Sequence, residues 1–126
     1  MTTTTHPLNA SADAARAALI RMGEERDARN AAEAAEVAPI LARLSDAQKR
    51  ALDPEEPYWD HTLCIPTRTA RALERHGLVH DLRDTGVGAT VWARYTKTGG
   101  KVYRALRHHA WIARKAEMEA ERDANR

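Results

Sequence analysis

The sequence is poor in the residues from which small proteins build an aromatic core or a covalent framework. Its 126 residues include no phenylalanine, one cysteine and only 5% aromatic residues. One cysteine excludes a disulfide within the chain and is typical of a reducing compartment. The core must therefore be built from Leu, Ile, Val and Ala. Because alanine buries little surface, we expect one small domain that gains part of its stability from a partner chain.

Long apolar runs are also absent. No stretch approaches the roughly 20 apolar residues of a membrane-spanning helix. The first seven residues, MTTTTHP, have neither the basic nor the apolar region of a secretory signal. These absences predict a cytoplasmic protein with no membrane partner. The Thr-rich start predicts a disordered tail over residues 1–9.

Positive charge is concentrated in the second half of the chain. Overall, 20 Lys and Arg stand against 18 Asp and Glu, for a net charge of +2. Residues 66–115, however, carry 11 Lys and Arg against three Asp and Glu. A segment this basic attracts polyanions even when the whole chain is nearly neutral. The alternative is a solvated basic surface that only keeps the protein soluble.

Local patterns predict a mainly α fold with a small β-hairpin or a three-stranded sheet. Alanine- and charge-rich sequence predicts a long helix over residues 10–36. Residues 37–44 predict a separate helix with Pro39 in its first turn, where a missing N–H costs little. Ser45 and Gln48 form a capping-box pattern that begins a short helix. Gly77 indicates the end of a helix that begins at Pro66.

A hairpin and a final helix follow. Residues 79–83 and 90–95 suit strands, and the two glycines between them suit a hairpin tip. Thr96 or Thr98 caps the last helix, whose start we expect Gly99 and Gly100 to weaken.

The helix from Pro66 to about His76 has two chemically different faces. At about 100° per residue, Ala70 and Leu73 fall on one side and three arginines fall on the other. Planar guanidinium groups bind phosphates and guanine edges through two hydrogen bonds. Further polar and basic side chains lie in the first turn of this helix, at the ends of the hairpin and at the start of the last helix. The candidate DNA-binding residues are therefore Thr67, Arg68, Arg71, Arg75, Arg83, Arg94, Lys97 and Lys101.

Three segments resemble winged helix-turn-helix transcriptional regulators of the MarR-like kind. They are LSDAQKRAL at residues 44–52, TARALERHGLV at 69–79 and YTKTGGKV at 95–102, in the order that the family has them. The resemblance implies a winged-helix domain over residues 37–101, with a recognition helix for the major groove of double-stranded DNA. The hairpin would be the wing, reaching a backbone or the minor groove.

The sequence departs from the family at one point. The family places a full helix before the recognition helix, whereas residues 53–65 contain two prolines. We expect that helix to be shortened or replaced by a loop and a strand over residues 61–65. This strand could pair with the hairpin to give a three-stranded sheet.

The terminal helices also fit the resemblance, because MarR-like proteins commonly dimerise through such helices. In the C-terminal helix, over residues 102–126, one stripe runs through Val102, Ala105, Leu106, His109, Ile112, Ala113 and Ala116, while Tyr103, Trp111 and Met118 lie on another side. Two apolar sides indicate contact with the domain on one and with a second copy on the other. The terminal helices therefore predict a homodimer. The alternative is that Trp111 is simply half exposed.

The sequence gives little support for a catalytic site or a metal site. His108 and His109 are adjacent and point to different sides of a helix, and His61 with Cys64 has no second pair to complete a tetrahedral site. We place His109 in the core or at an interface. Nothing in the sequence supplies a base for Cys64 as a nucleophile. We expect no enzyme, no cofactor and no metal.

The sequence thus predicts a DNA-binding transcriptional regulator. Its arginine-rich usage, with 16 Arg and 4 Lys, suits a bacterium or phage with a GC-rich genome. One alternative is a protein-interaction module of winged-helix shape that binds a host or partner protein. Another is a nucleoid-type protein that coats DNA without sequence preference.

Overall fold

The fold is described by a computed structural model for residues 7–53 and 62–126, with side chains described from residue 11 onward. Its elements are α1 (Pro7–Leu41), α2 (Asp46–Leu52), β1 (Thr62–Pro66), α3 (Thr67–Arg75), β2 (Val79–Asp84), β3 (Thr90–Tyr95) and α4 (Lys97–Ala124). The strands form one antiparallel sheet in the order β1-β3-β2. The predicted fold class is confirmed: a mainly helical chain with a three-stranded sheet between long terminal helices.

Strand β1 forms in the segment for which the sequence predicted a loop and a strand over residues 61–65. It pairs with β3, with Leu63 opposite Ala93, so the predicted three-stranded sheet is confirmed. Helix α3 begins immediately after it, at Thr67. His61, the predicted start of the strand, lies outside the described residues, as do residues 54–60 and the tail at residues 1–6.

The core lies between the inner face of the sheet and the helices. It consists of small and branched side chains, as the composition predicted, and no aromatic side chain of the described segments is buried in it. The largest fully buried residues are Leu52, Leu63, Leu73, Leu78, Val37, Val79 and Val102. Tyr95 packs against this core, and its hydroxyl donates a hydrogen bond to the carbonyl of Leu52. Burial raises the pKa of the Tyr95 hydroxyl above its usual range.

Local hydrogen bonds explain where the short helices begin and end. The Ser45 hydroxyl accepts from the Gln48 N–H at 3.1 Å, and the Gln48 side chain accepts from the Ser45 N–H at 2.9 Å. The capping box is therefore confirmed. At the end of α3, Gly77 has a φ of 74° and the Leu78 N–H donates to the Leu73 carbonyl at 3.0 Å. This is the left-handed glycine C-cap that the sequence predicted.

Helix α1 differs from the prediction at both ends. It begins at Pro7, before the expected end of the tail, and a proline fits the first helical position. It also continues through Pro39 to Leu41, so the separate helix predicted over residues 37–44 was wrong. Pro39 lies close to the helix end, where the lost N–H affects only the last turn. Val37 and Leu41 are both buried there and hold the turn against the core.

Helices α1 and α4 pack as an antiparallel pair held by two ion pairs. Glu33 accepts two hydrogen bonds from the Arg104 guanidinium, at 2.6 and 3.2 Å. One turn further along α1, Glu36 accepts from Lys101 Nζ at 2.8 Å. The hydrogen bond from Arg104 holds the pKa of the Glu33 carboxyl below its usual value. The α4 partner moves back three residues as α1 moves forward three, which is the register of an antiparallel pair.

The distal parts of the two helices leave the core and carry exposed apolar side chains. On α4, burial of the predicted stripe ends near Leu106, and His109 is exposed rather than part of the core. Leu19, Met22, Trp111 and Met118 are 68%, 62%, 51% and 52% exposed. We call residues 11–25 of α1 and 109–124 of α4 the distal arms. No helix among the described residues is both long and apolar enough to cross a bilayer.

Candidate nucleic-acid interface

Helix α3 presents the arginine face that its sequence predicts. Ala70 and Leu73 are completely buried against the core, while Arg68, Arg71 and Arg75 are exposed on the opposite side. None of these three arginines forms an ion pair with a carboxylate of the described residues. The three guanidinium groups therefore face solvent together along about two helical turns.

The first residue of α3 is attached to the hairpin. Pro66 precedes it and offers no side-chain cap. Instead, the Thr67 N–H donates to the Ala89 carbonyl at 2.9 Å, which satisfies one of the unpaired donors at the helix start. Thr67 itself is half-buried. The arginine face and the hairpin therefore start from a common point.

The other end of α3 is attached to the start of α4. The Thr96 hydroxyl donates to the Gly77 carbonyl at 2.6 Å, and the Thr96 N–H donates to the Leu78 carbonyl at 3.0 Å. The same hydroxyl accepts from the Gly99 N–H at 2.9 Å, so Thr96 is the helix cap. This junction places the exposed Lys97 near the end of α3 that carries Arg75.

Lys101 has a different environment from Lys97. It lies one turn further along α4, is half-buried, and is paired with Glu36 of α1 at 2.8 Å. Its ammonium group therefore contributes to the packing of the two long helices. The structure does not bring it together with the arginine face.

Arg83 and Arg94 lie together on the outer face of the sheet, opposite the face that packs on the helices. Arg94 pairs with His80 across the β2–β3 ladder, and Arg83 pairs with Trp92. His80 and Arg83 are three positions apart and would point to opposite faces in a regular strand. A bulge between them brings both side chains to the outer face. Arg83 forms an ion pair with Asp81 at 3.5 Å while its side chain stays 75% exposed.

The hairpin tip is stiffened by its own side chains and carries no cation. Gly86 and Gly88 have φ values of 78° and 61°, in the left-handed region that favours glycine. The Thr85 hydroxyl accepts from the Val87 N–H at 3.1 Å, and the Thr90 hydroxyl donates to the Val87 carbonyl at 2.7 Å. Val87 itself is 75% exposed at the end of this network.

Two features of the interface were missed from the sequence. Trp92 lies on the outer face of the central strand β3, which is the face that the period-2 alternation along residues 90–95 indicates. The bulge that turns Arg83 toward Trp92 has no comparable signal, because it depends on Asp81 adopting a φ of 58°. Asp and Asn tolerate this region better than other non-glycine residues.

Within residues 7–53 and 62–126, no three His, Cys, Asp or Glu side chains lie where they could hold a metal ion. Comparison with protein-family models, with curated proteins and with solved structures found no match to this chain.

Proposed function

We propose that the protein binds double-stranded DNA as a cytoplasmic transcriptional regulator of winged-helix type, without enzymatic activity. The observation that carries this proposal is the arginine face of α3. Three exposed guanidinium groups occupy one side of a helix whose other side, at Ala70 and Leu73, is 0% exposed. Such a helix can lie in a major groove while the core holds it from behind.

The proposed contacts follow the length of α3. Its nine residues span about 13 Å at 1.5 Å per residue, which suits insertion of one short helix into the groove. Arg68, Arg71 and Arg75 would contact base edges or phosphates. Thr67 at one end and Lys97 at the other would contact the flanking phosphates.

Two of the sequence-predicted groups have a smaller part in this proposal. Lys101 is left out because Glu36 already pairs with it. Arg83 and Arg94 lie on the outer sheet face, so their role on duplex DNA depends on how the hairpin follows the backbone. The likeness to MarR-like regulators stays a prediction, supported by the order of α2, α3, hairpin and α4.

Titration with a generic duplex tests the proposal. Fluorescence anisotropy at about 50 mM salt should show micromolar binding that weakens steeply as salt rises, with a slope of about −0.9 per phosphate contact. Competition between random and operator-like duplexes then separates a specific regulator from a nucleoid-type protein. Absence of duplex binding at that salt concentration contradicts the proposal.

The second candidate function is a protein-interaction module that binds a partner protein and not DNA. The exposed apolar residues of the distal arms favour it, because surfaces of this kind mark protein contacts. A chain that fails to bind duplex DNA at low salt, yet retains the fold, would favour this candidate.

A homodimer through the terminal helices accompanies the DNA-binding proposal. Continued outward for about four turns, the antiparallel register that Glu33 and Arg104 define would place Leu19 level with Met118. Both side chains are more than half exposed. Two copies that pair through the distal arms would cover these residues and place two α3 helices for the half-sites of a pseudo-palindromic operator.

Disruption of the arms should dissociate the dimer. We expect Leu19→Glu/Met118→Glu to weaken dimerisation at least 100-fold, because each large apolar side chain contributes roughly 1.5–3 kcal/mol on burial. Sedimentation equilibrium measures the change. Val87→Glu is the control for adding a carboxylate, since it replaces an apolar side chain that is 75% exposed outside the distal arms. A wild-type chain that stays monomeric at tens of micromolar, or equal effects of both variants, contradicts the dimer.

A further inference from the structure

The arginine face of α3 is bordered by a carboxylate. Glu74 lies in the last turn of the helix and is exposed. At about 100° per residue, its side chain lies about 20° from that of Thr67 and about 60° from that of Arg71 around the helix axis. A polyanion that contacts Arg71 would therefore also lie close to the Glu74 carboxylate.

This carboxylate has no cationic partner among the described residues. Arg71 is three residues before Glu74 and Arg75 directly follows it, yet neither forms an ion pair with it. A basic residue placed before an acidic one is the less favourable order for such a pair in a helix. A negative charge near the C-terminal end of a helix is also unfavourable, because the negative ends of the peptide dipoles lie there. Glu74 therefore does not stabilise α3, and its carboxylate can accept hydrogen bonds from another molecule.

The hydrogen-bonding groups of α3 match some bases and not others. In the major groove, cytosine presents its N4 amino group as a donor, and a glutamate carboxylate can accept from it. Adenine also presents a donor, but its neighbouring N7 is an acceptor that would repel a carboxylate. Helix α3 contains no Asn or Gln, the side chains that bind adenine through two hydrogen bonds. Its charged acceptor therefore favours cytosine.

We propose that Glu74 determines the base-pair specificity of α3 by accepting a hydrogen bond from N4 of a cytosine in the major groove. This inference rests on the duplex binding proposed for α3. The carboxylate is repelled by phosphates, which every duplex carries, so it weakens binding to all sequences. The hydrogen bond offsets this repulsion only where a C·G pair lies opposite Glu74, and a difference in affinity between sequences results.

The attachment of α3 at both ends keeps this carboxylate in one place. Thr67 is bonded to Ala89 of the hairpin, and Gly77 is bonded to Thr96 at the start of α4. Glu74 lies about 4.5 Å beyond Arg71 along the helix axis, and successive base pairs are about 3.4 Å apart. The cytosine should therefore lie one or two base pairs from the position that Arg71 contacts.

Selection from duplexes with a randomised central segment, with the full chain at about 50 mM salt, identifies the sequences that the wild type prefers. Replacement of the preferred C·G pair in the selected duplex should weaken binding about tenfold, as measured by fluorescence anisotropy. N4-methylcytosine at the same position should have a similar effect. Its methyl group takes the place of the hydrogen in the major groove, while the pairing with guanine is kept.

Glu74→Gln should change which base pair is preferred. Its uncharged amide binds adenine N6 and N7 through two hydrogen bonds, so the preferred C·G pair should become A·T. Affinity for random duplex should rise, because a charge of the same sign as the phosphates is removed. The matched control is Glu119→Gln, which removes an equal charge at an exposed position in the distal part of α4. This control should keep the wild-type preference.

Retention of the wild-type preference in Glu74→Gln would overturn the role of Glu74, and so would an equal change of preference in Glu119→Gln. In both cases the wild type still binds duplex DNA, so the function proposed for α3 stands. If the wild type binds no duplex at this salt concentration, that function fails and the inference fails with it.

Discussion

Gly99→Ala is expected to lower the free energy of unfolding by about 3 kcal/mol or more, a large share of the roughly 5–15 kcal/mol typical of small domains. A Cβ at this position would lie 1.8 Å from the Leu78 carbonyl oxygen and 2.8 Å from its carbon. Backbone atoms cannot rotate away as the end of a side chain can. Leu78 is also fully buried, so its own displacement would disturb the core.

The same contact is surrounded by hydrogen bonds that would be lost with it. The Leu78 carbonyl accepts from the Thr96 N–H, and the Thr96 hydroxyl caps Gly99. Each such bond contributes about 1 kcal/mol. Displacement of α4 from Leu78 would therefore uncap the helix as well as open a gap beneath it.

Gly100→Ala is the matched control for this prediction. Its Cβ would meet only the end of the Arg104 side chain, at an ordinary 3.5 Å. Alanine is the better helix former by about 0.5–1 kcal/mol, so this variant should be unchanged or slightly more stable. Urea unfolding followed by circular dichroism at 222 nm measures both variants. Equal stability of the two would contradict the packing of α4 on Leu78.

Arg71→Ala/Arg75→Ala should reduce the affinity for duplex DNA roughly 100-fold. Each arginine contact with a base edge or a phosphate contributes about 1–3 kcal/mol, and 1.4 kcal/mol corresponds to a factor of ten. Both side chains are exposed, so the stability of the fold should change by less than about 0.5 kcal/mol. Any loss of binding therefore reports the interface and not unfolding.

Salt dependence shows which atoms of DNA these arginines contact. If both bind phosphates, the slope of log K against log salt should become less steep by about 1.8. If they bind guanine edges, the slope should change little while discrimination between operator and random duplex falls. Arg114→Ala/Arg126→Ala removes two charges at exposed positions in the distal part of α4 and near the C-terminus. Equal losses in the two double variants would show that total charge, not α3, determines binding.

Much of the fold could be predicted because its signals are local. The Ser45 capping box, the Gly77 helix end and the two strands of the hairpin each depend on residues a few positions apart. The arginine face of α3 is equally local, since it follows from helical spacing alone. These elements place the central candidate site before any tertiary contact is known.

The features that could not be predicted depend on residues distant in sequence. Gly99 and Gly100 are indistinguishable in the sequence, and both suggested a weak helix start. Only the close approach of the Leu78 carbonyl to Gly99 in the folded chain shows that this position has no room for a larger residue. Similarly, Lys101 resembles Lys97 until the packing of α1 brings Glu36 to it. The continuation of α1 through Pro39 depends on burial of Val37 and Leu41 against the rest of the core.

Helix α3 is braced at both of its ends, and this has a mechanical consequence. Thr67 ties its beginning to Ala89 of the hairpin, and Gly77 ties its end to Thr96 of α4. Because hydrogen bonds hold both ends of α3, a rotation or translation of this helix would also move the hairpin at one end and α4 at the other. A displacement imposed on the hairpin, for example by a molecule on its outer surface, would therefore be transmitted to the position of the guanidinium groups.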